Sequence, residues 1–389
     1  MNGRRRWTLA IFLFTIGDAL ALQVRGALVP SLQAAFDVSP ALLGLVAPAG
    51  TVGFLLAILV VGTSAGRLQV RRTVLGALAV ATVTFVAMGV APVYLLFLGF
   101  LVVQGSADGV VRGLDRPILA HFYPEQRGRV FNVYALVWAL GAATAPLLVN
   151  AALAVGTWRW VFFALALVFL PAAFLLARAD PPSLEEGERS LSWADFRALL
   201  SDWRIVGVVL ALVCSGSIEG SIFTWLPYYA NGFLTPAQAN LLLSGFLVSY
   251  IPGRAVYSVL VERVDPLALV VVLSLCCVPT LYVAFTATDP LVVVGAVLLT
   301  GLFISGLFPT VSAFGVDVAP AYSGPVNAIA TAGNYAGLSL APAAVGVAAA
   351  RTDIGAALSG LAGVAVAFAL VTGTLRLHVG RSPDTTPAE

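Results

Sequence analysis

Eight charged side chains lie well inside long apolar runs of this 389-residue chain: Asp18, Arg25, Asp108, Arg112, Asp115, Arg116, Glu219 and Arg254. An ionised group at the centre of a bilayer costs about 3 kcal/mol or more, so such residues mark a substrate or ion path. Two kinds of chemistry are open to them. A carboxyl group can carry a proton, and a guanidinium can grip a carboxylate or phosphate through its planar fork of donors. Asp18 and Arg25 are seven residues apart, so a helix puts them on one face two turns apart. Asp108 and Arg112 have the i,i+4 spacing of a helical ion pair, and Arg116 continues that line. The spacing predicts an Asp108–Arg112 pair. Glu219 has no basic residue within one turn of its own helix, which makes it the favoured proton carrier. Asp18 and Asp108 are the other proton-coupling candidates. Arg25 and Arg112 are the candidate anion ligands. Gln104, Trp138, Trp225, Asn334 and Tyr335 are uncharged candidates for lining a substrate site.

The elements that must position these residues are membrane-spanning helices. Hydrophobic residues make up 60% of the chain and charged residues only 10%, against about 25% charged in soluble domains. Twelve apolar stretches are long enough to cross a bilayer. They cover residues 7–30, 41–65, 73–92, 94–120, 130–154, 158–178, 205–230, 237–261, 266–287, 290–315, 323–350 and 353–376. Backbone groups in hydrocarbon must be satisfied within the segment, so these stretches are predicted as helices. The first run is too long for a signal-peptide core and reads as a span. With the N-terminus inside, fifteen arginines fall in inner loops and tails and two, Arg159 and Arg351, in outer loops. That bias predicts cytoplasmic termini and a plasma-membrane location. All 21 basic residues are Arg.

The second six stretches repeat the first six. Ser39-Pro40 recurs as Thr235-Pro236, 196 residues on, and both read as a helix N-cap followed by proline. At the same offset Pro124 and Gly128 match Pro320 and Gly324, Gly141 matches Gly337, Ala145-Pro146 matches Ala341-Pro342, and Arg67 matches Arg263. The expected organisation is a six-helix bundle at 1–180, a linker at 181–204, a second bundle at 205–376 and a tail at 377–389. The segment 191–204, LSWADFRALLSDWR, is amphipathic enough for a short surface helix. Gly105, Gly109 and Gly113 form a small-residue ridge, which lets a neighbouring helix approach closely.

Three segments resemble the major facilitator superfamily, over essentially the whole chain. The loop GTSAGRLQVRRTVLGAL, residues 62–78, is similar to the family's Gly-x-x-x-Asp-Arg-x-Gly-Arg-Arg loop. It departs at Gly66, where the family has the acid, and at Gln69 and Val70. The matching loop of the second half, SVLVERVDP at 258–266, keeps an acid as Glu262 beside Arg263. Residues 109–148 resemble the family's fourth span, loop and fifth span, with Pro124-Glu125-x-Arg127-Gly128-Arg129 at the turn. The resemblance implies an all-α membrane protein of two six-helix bundles with spans one, four, seven and ten around a central cavity. It also implies that Arg67, Glu262 and Arg263, with Arg127 and Arg129, form a cytoplasmic gate, which Arg71 and Arg72 could join.

The function expected is secondary active transport of a small organic anion or zwitterion, coupled to protons, by alternating access. A drug or metabolite exporter, a lipid-linked flippase and a non-transporting sensor are the rivals. No phosphate-binding Gly-x-x-x-x-Gly-Lys-Ser/Thr loop and no nucleophile–base constellation is present, so neither ATP hydrolysis nor an enzyme is expected. Cys214, Cys276 and Cys277 have no metal spacing. No cofactor and no metal are expected. The net charge of +2 argues against a nucleic-acid partner. The expected partners are the solute, an ion gradient and the bilayer, with the chain working as a monomer.

Overall fold

The computed structural model describes residues 3–64, 68–180, 197, 199, 201–319 and 322–379. The described elements are α-helices. They are α1 (Gly3–Phe36), α2 (Pro40–Leu43), α3 (Val46–Ser64), α4 (Val70–Gly89), α5 (Tyr94–Phe122), α6 (Arg127–Val155), α7 (Arg159–Ala177) and α8 (Trp203–Ala230). They continue with α9 (Pro236–Val248), α10 (Tyr250–Leu260), α11 (Pro266–Thr286), α12 (Pro290–Ile304), α13 (Leu307–Val318), α14 (Ser323–Ala349), α15 (Ile354–Ser359) and α16 (Leu361–Val379). Among the described residues ten stretches are long and apolar enough to cross a membrane. Some spans are broken: α2 runs on into α3, α12 into α13 and α15 into α16. The remaining two spans are α14, which is rich in small and polar residues, and the pair α9–α10, broken at Ser249. Together they make the twelve expected.

Five helix starts are set by short polar side chains, four of them followed by proline. Ser39 Oγ accepts from Leu42 N at 3.5 Å. Thr235 Oγ1 accepts from Gln238 N at 3.4 Å, and Gln238 Oε1 accepts from Thr235 N at 3.1 Å, a reciprocal capping box. The two repeat-related caps therefore form as expected. Asp265, Asp289 and Asp353 cap α11, α12 and α15 in the same way. Asp37, with φ of 50°, ends α1 in the left-handed region that a short polar residue tolerates.

The helices group into two units. The first holds residues 1–190 and 223–248, the second 191–222 and 249–389. In the first unit α1 packs on α6 and α7, α3 on α5, α4 on α5 and α7, and α9 on α6. The α6–α9 seam is tied by a pair of amides. Asn240 Nδ2 donates to Asn150 Oδ1 at 2.8 Å, and Asn150 Nδ2 donates to the Ala237 carbonyl at 3.1 Å. In the second unit α11 packs on α12, α13, α15 and α16, and α14 on α13 and α15.

The expected glycine ridge is where α3 and α5 meet. A Cβ on Gly105 would lie 1.9 Å from the Gly50 carbonyl oxygen, one on Gly109 2.4 Å from that of Phe54, and one on Gly113 2.8 Å from Val61 Cγ1. The internal repeat is equally visible in packing. A Cβ on Gly141 of α6 would meet the Ile16 carbonyl of α1 at 2.8 Å. A Cβ on its mate Gly337 of α14 would meet the Val213 carbonyl of α8 at 2.1 Å. Within each unit the same small residue lets the same pair of spans touch.

Arg71 caps a helix end. Its Nε donates to the Leu176 carbonyl at 3.1 Å and its Nη2 to that of Ala177. It thus adds donors to carbonyls in the last turn of α7, of which that of Leu176 also accepts from Ala179 N at 3.2 Å, and its charge complements the helix dipole there. Trp7 Nε1 donates to the Asp180 carbonyl just beyond, at 2.7 Å. Arg71→Ala is expected to lower stability by about 1 kcal/mol. A small drop in the thermal midpoint in detergent would show it, and an unchanged midpoint would remove this cap from the account.

Candidate functional site

The first unit buries a network of charge on α1, α5 and α6. Asp18 and Arg25, two turns apart on α1, both reach α5. Arg112 Nη2 donates to Asp18 Oδ2 at 2.7 Å, with both side chains about nine-tenths buried. Arg25 Nη2 donates to Gln104 Oε1 at 2.7 Å. Gln104 is wholly buried, and its Nε2 donates to Asp108 Oδ2 one turn on. Arg112 Nη1 donates to Tyr134 Oη of α6 and lies 4.0 Å from Asp115 Oδ2. Tyr134 Oη donates to Asp115 Oδ2, and Asp115 Oδ1 accepts from Arg116 N at 2.5 Å. The Arg116 side chain itself is exposed and stands 5.7 Å from the Tyr134 ring.

The intrahelical Asp108–Arg112 pair predicted from spacing is not the one formed. Arg112 turns across the interface to Asp18 and toward Asp115, while Asp108 takes the Gln104 amide. The physical reason is that an i,i+4 pair must bend two side chains along one helix. Asp18 on α1 offers Arg112 a short, direct partner instead. Asp108 Oδ1 has no hydrogen-bond partner among the described residues. Leaving aside the exposed Arg116 next to Asp115, the ionised carboxyls of Asp18, Asp108 and Asp115 set three negative charges against the two positive charges of Arg25 and Arg112. One proton would balance the set.

The second unit holds a simpler acid. Glu219 of α8 is buried, and its Oε1 accepts from Tyr250 Oη of α10 at 2.8 Å. Arg254, exposed on α10, lies 5.4 Å from the Tyr250 ring. Asn334 of α14 is buried beside Gly216, where a Cβ would meet its backbone oxygen at 2.0 Å, and its Oδ1 has no partner among the described residues. Tyr335 is half-buried.

The other predicted residues fall as follows. Trp138 is half-buried on α6, and its indole nitrogen has no partner among the described residues. Trp225 is wholly buried, edge-to-face with Tyr228 at 5.5 Å. Glu262, Arg263 and Arg129 are exposed, and none takes part in an ion pair among the described residues. Arg67, the Arg127 side chain and most of the amphipathic segment 191–204 lie outside the described residues.

Sequence reasoning missed Tyr134 and Tyr250, the two hydroxyls that hold Asp115 and Glu219. Each is a tyrosine well inside an apolar span, and that was the available signal. It also missed that Gln23 is the repeat mate of Glu219, at the same 196-residue offset. Gln23 is wholly buried, and both polar atoms of its amide lack a partner among the described residues.

Comparison with known proteins agrees with this architecture. The family model described as Major Facilitator Superfamily matches residues 8–234. Protein TsgA of Shigella flexneri is 24% identical over 225 residues, which is 57% of this chain and 56% of that protein. The chain thus spans about half the length of this curated relative. Among solved structures, a bacterial homologue of the human lysosomal transporter Spinster, inward-facing and unoccupied, superposes with a TM-score of 0.83 at 12% identity, covering 99% of both chains. The nucleoside transporter NupG superposes at 0.77 with 14% identity, covering 97% of this chain and 99% of that one. At such identities the structural likeness shows the fold alone.

Proposed function

Because the chain belongs to the Major Facilitator Superfamily, and is a multi-pass membrane protein with that fold, we propose that it carries a small organic anion or zwitterion by proton-coupled alternating access. One observation supports this reading above the others: the buried network Arg25–Gln104–Asp108 beside Asp18–Arg112–Tyr134–Asp115. A purely structural element in hydrocarbon has no need of five ionisable side chains, each of which costs free energy to bury.

The geometry gives these groups separate tasks. Arg112 is held by Asp18, so an anionic solute can reach it only by displacing that carboxylate. A proton on Asp18 removes the competing charge and frees the guanidinium for the solute. Proton and anion then load together, which is the linkage that symport requires. Asp108 has one hydrogen bond among the described residues, from the Gln104 amide, and can take the proton that balances the network. Glu219 is the third proton acceptor, in the second unit. It is hydrogen-bonded to Tyr250 and has no salt bridge within 4 Å among the described residues. Asn334 and Trp138 would supply neutral hydrogen bonds. The arginine distribution supports cytoplasmic termini in the plasma membrane, and the chain is taken to work as a monomer.

Proteoliposomes under an imposed pH gradient test the reading. A pooled library of organic acids, amino acids and sugars is followed by mass spectrometry for wild type, Glu219→Gln and Arg25→Ala. The expected result is gradient-driven movement of an anionic or zwitterionic compound that is lost in both variants. Movement of a neutral or cationic compound, undiminished in both, would refute it. A further expectation concerns Tyr250→Phe, which removes the hydroxyl from Glu219. It should slow gradient-driven flux several-fold and leave the thermal midpoint within a few degrees, since one hydrogen bond is worth about 1 kcal/mol.

A further inference from the structure

The glycines along α3 and α5 are not equivalent. A Cβ at Gly53 would meet the Val102 carbonyl at 2.0 Å, one at Gly105 the Gly50 carbonyl at 1.9 Å, and one at Gly109 the Phe54 carbonyl at 2.4 Å. In each case the obstacle is main chain of the facing helix, which cannot step aside. Gly50 differs. The three nearest atoms to a Cβ there all belong to Arg25: Nη1 at 2.1 Å, Cζ at 2.7 Å and Nη2 at 3.0 Å. The guanidinium of α1 therefore lies in the space a side chain at position 50 would fill. From there its Nη2 reaches Gln104 of α5 at 2.7 Å.

We propose that Gly50 is a specificity-determining position of the transport site: the absent side chain seats the Arg25 guanidinium on Gln104, so that it can receive a carboxylate or phosphate group. This rests on the proposed role of Arg25 as an anion ligand. Gly50 acts through Arg25, as a positioning residue. Glycine is needed there for space, since a fork of donors recognises an oxyanion only from a fixed position. Gln104 completes the seat from the far side. Its Oε1 accepts from Arg25 while its Nε2 is committed to Asp108, so the amide has one orientation in which both bonds form. Any side chain at position 50 would push the guanidinium off that acceptor and leave the Gln104 oxygen buried without its donor. An alanine has only the one atom that meets Arg25, so its effect should be confined to that contact.

The test has a readout that needs no solute. Thermal midpoints of the full-length protein in detergent are compared for Gly50→Ala, Arg25→Ala and the double variant, with Gly105→Ala in both backgrounds as the packing control. Gly50→Ala is expected to lower the midpoint in wild type and to have little or no effect once Arg25 is alanine. Gly105→Ala should lower it in both. An equal loss from Gly50→Ala in both backgrounds would overturn the proposal, because the obstacle would then be helix packing. The same proteins are reconstituted and offered the pooled organic acids. Gly50→Ala should raise the concentration needed for half-maximal uptake about tenfold, with a smaller change in maximal rate, and Gly50→Ala with Arg25→Lys, whose slimmer ammonium fits beside a methyl group, should recover part of the loss. If the midpoints couple as expected but neither Gly50→Ala nor Arg25→Ala alters uptake, the seat exists and the anion-ligand reading of Arg25 is what fails.

Discussion

Arg112→Ala is expected to destabilise the protein by about 3–5 kcal/mol, the cost of breaking a buried ion pair from one side. Arg112 ties together three side chains of the network on three helices. It donates to Asp18 at 2.7 Å and to Tyr134, and stands 4.0 Å from Asp115. Its loss would leave Asp18 about nine-tenths buried and Asp115 wholly buried, without the cation that faces them. Repulsion between carboxyls would compound the effect. The double variant Arg112→Ala, Asp18→Asn should recover much of the stability, since it removes a stranded charge together with its partner, but not the uptake. Thermal unfolding of the four proteins in detergent provides the double-mutant cycle. If the second change recovered nothing, the pair would be an incidental contact and the charge-balance argument would fall.

Gly105→Leu is expected to abolish accumulation of folded protein. Position 105 lies where the α5 backbone meets that of α3, and even a Cβ would come within 1.9 Å of the Gly50 carbonyl oxygen. A leucine would force the helices apart by several ångströms and unseat Gly53, Gly109 and Gly113 along the same seam. It would also carry Gln104 and Asp108 away from Arg25. Membrane helices have little hydrophobic drive to associate and depend on close packing, so a lost seam has no substitute. Size-exclusion profiles of a fluorescent fusion should show aggregate or no peak. A monodisperse peak of wild-type yield would show that the α3–α5 contact is dispensable.

Much of the fold was legible because it follows from one-dimensional rules. Span length, helix caps and the arginine bias act along the chain, and Ser39 and Thr235 cap where their types require. The glycine ridge was legible because small residues at helical spacing have one common use. The site was legible only as an inventory. Asp18, Arg25, Gln104, Asp108 and Arg112 were all singled out, but the partners were misjudged for Arg112 and Asp108. Helical periodicity says which residues share a face of one helix. It does not say which other helix that face meets, and the short contacts here run from α1 to α5 and from α5 to α6. Tyr134 and Tyr250 were passed over for the same reason, since a hydroxyl in an apolar span reveals its role only when its acceptor is known. Arg71 looked like part of a loop motif because sequence places it beside Arg72, whereas in space it lies at the end of α7.

Proton movement measured together with solute movement tests the central claim most directly. Proteoliposomes loaded with a pH-sensitive dye, at equal pH on both sides, are offered the pooled organic acids and then each acid alone. The account predicts that the acid taken up shifts the internal pH of wild-type vesicles, and that Glu219→Gln, which keeps the Asp18 site but lacks the acid of the second unit, still exchanges that acid across the membrane while moving fewer protons with it. Solute uptake with no pH change, equally fast in wild type and Glu219→Gln and indifferent to an imposed gradient, would contradict it.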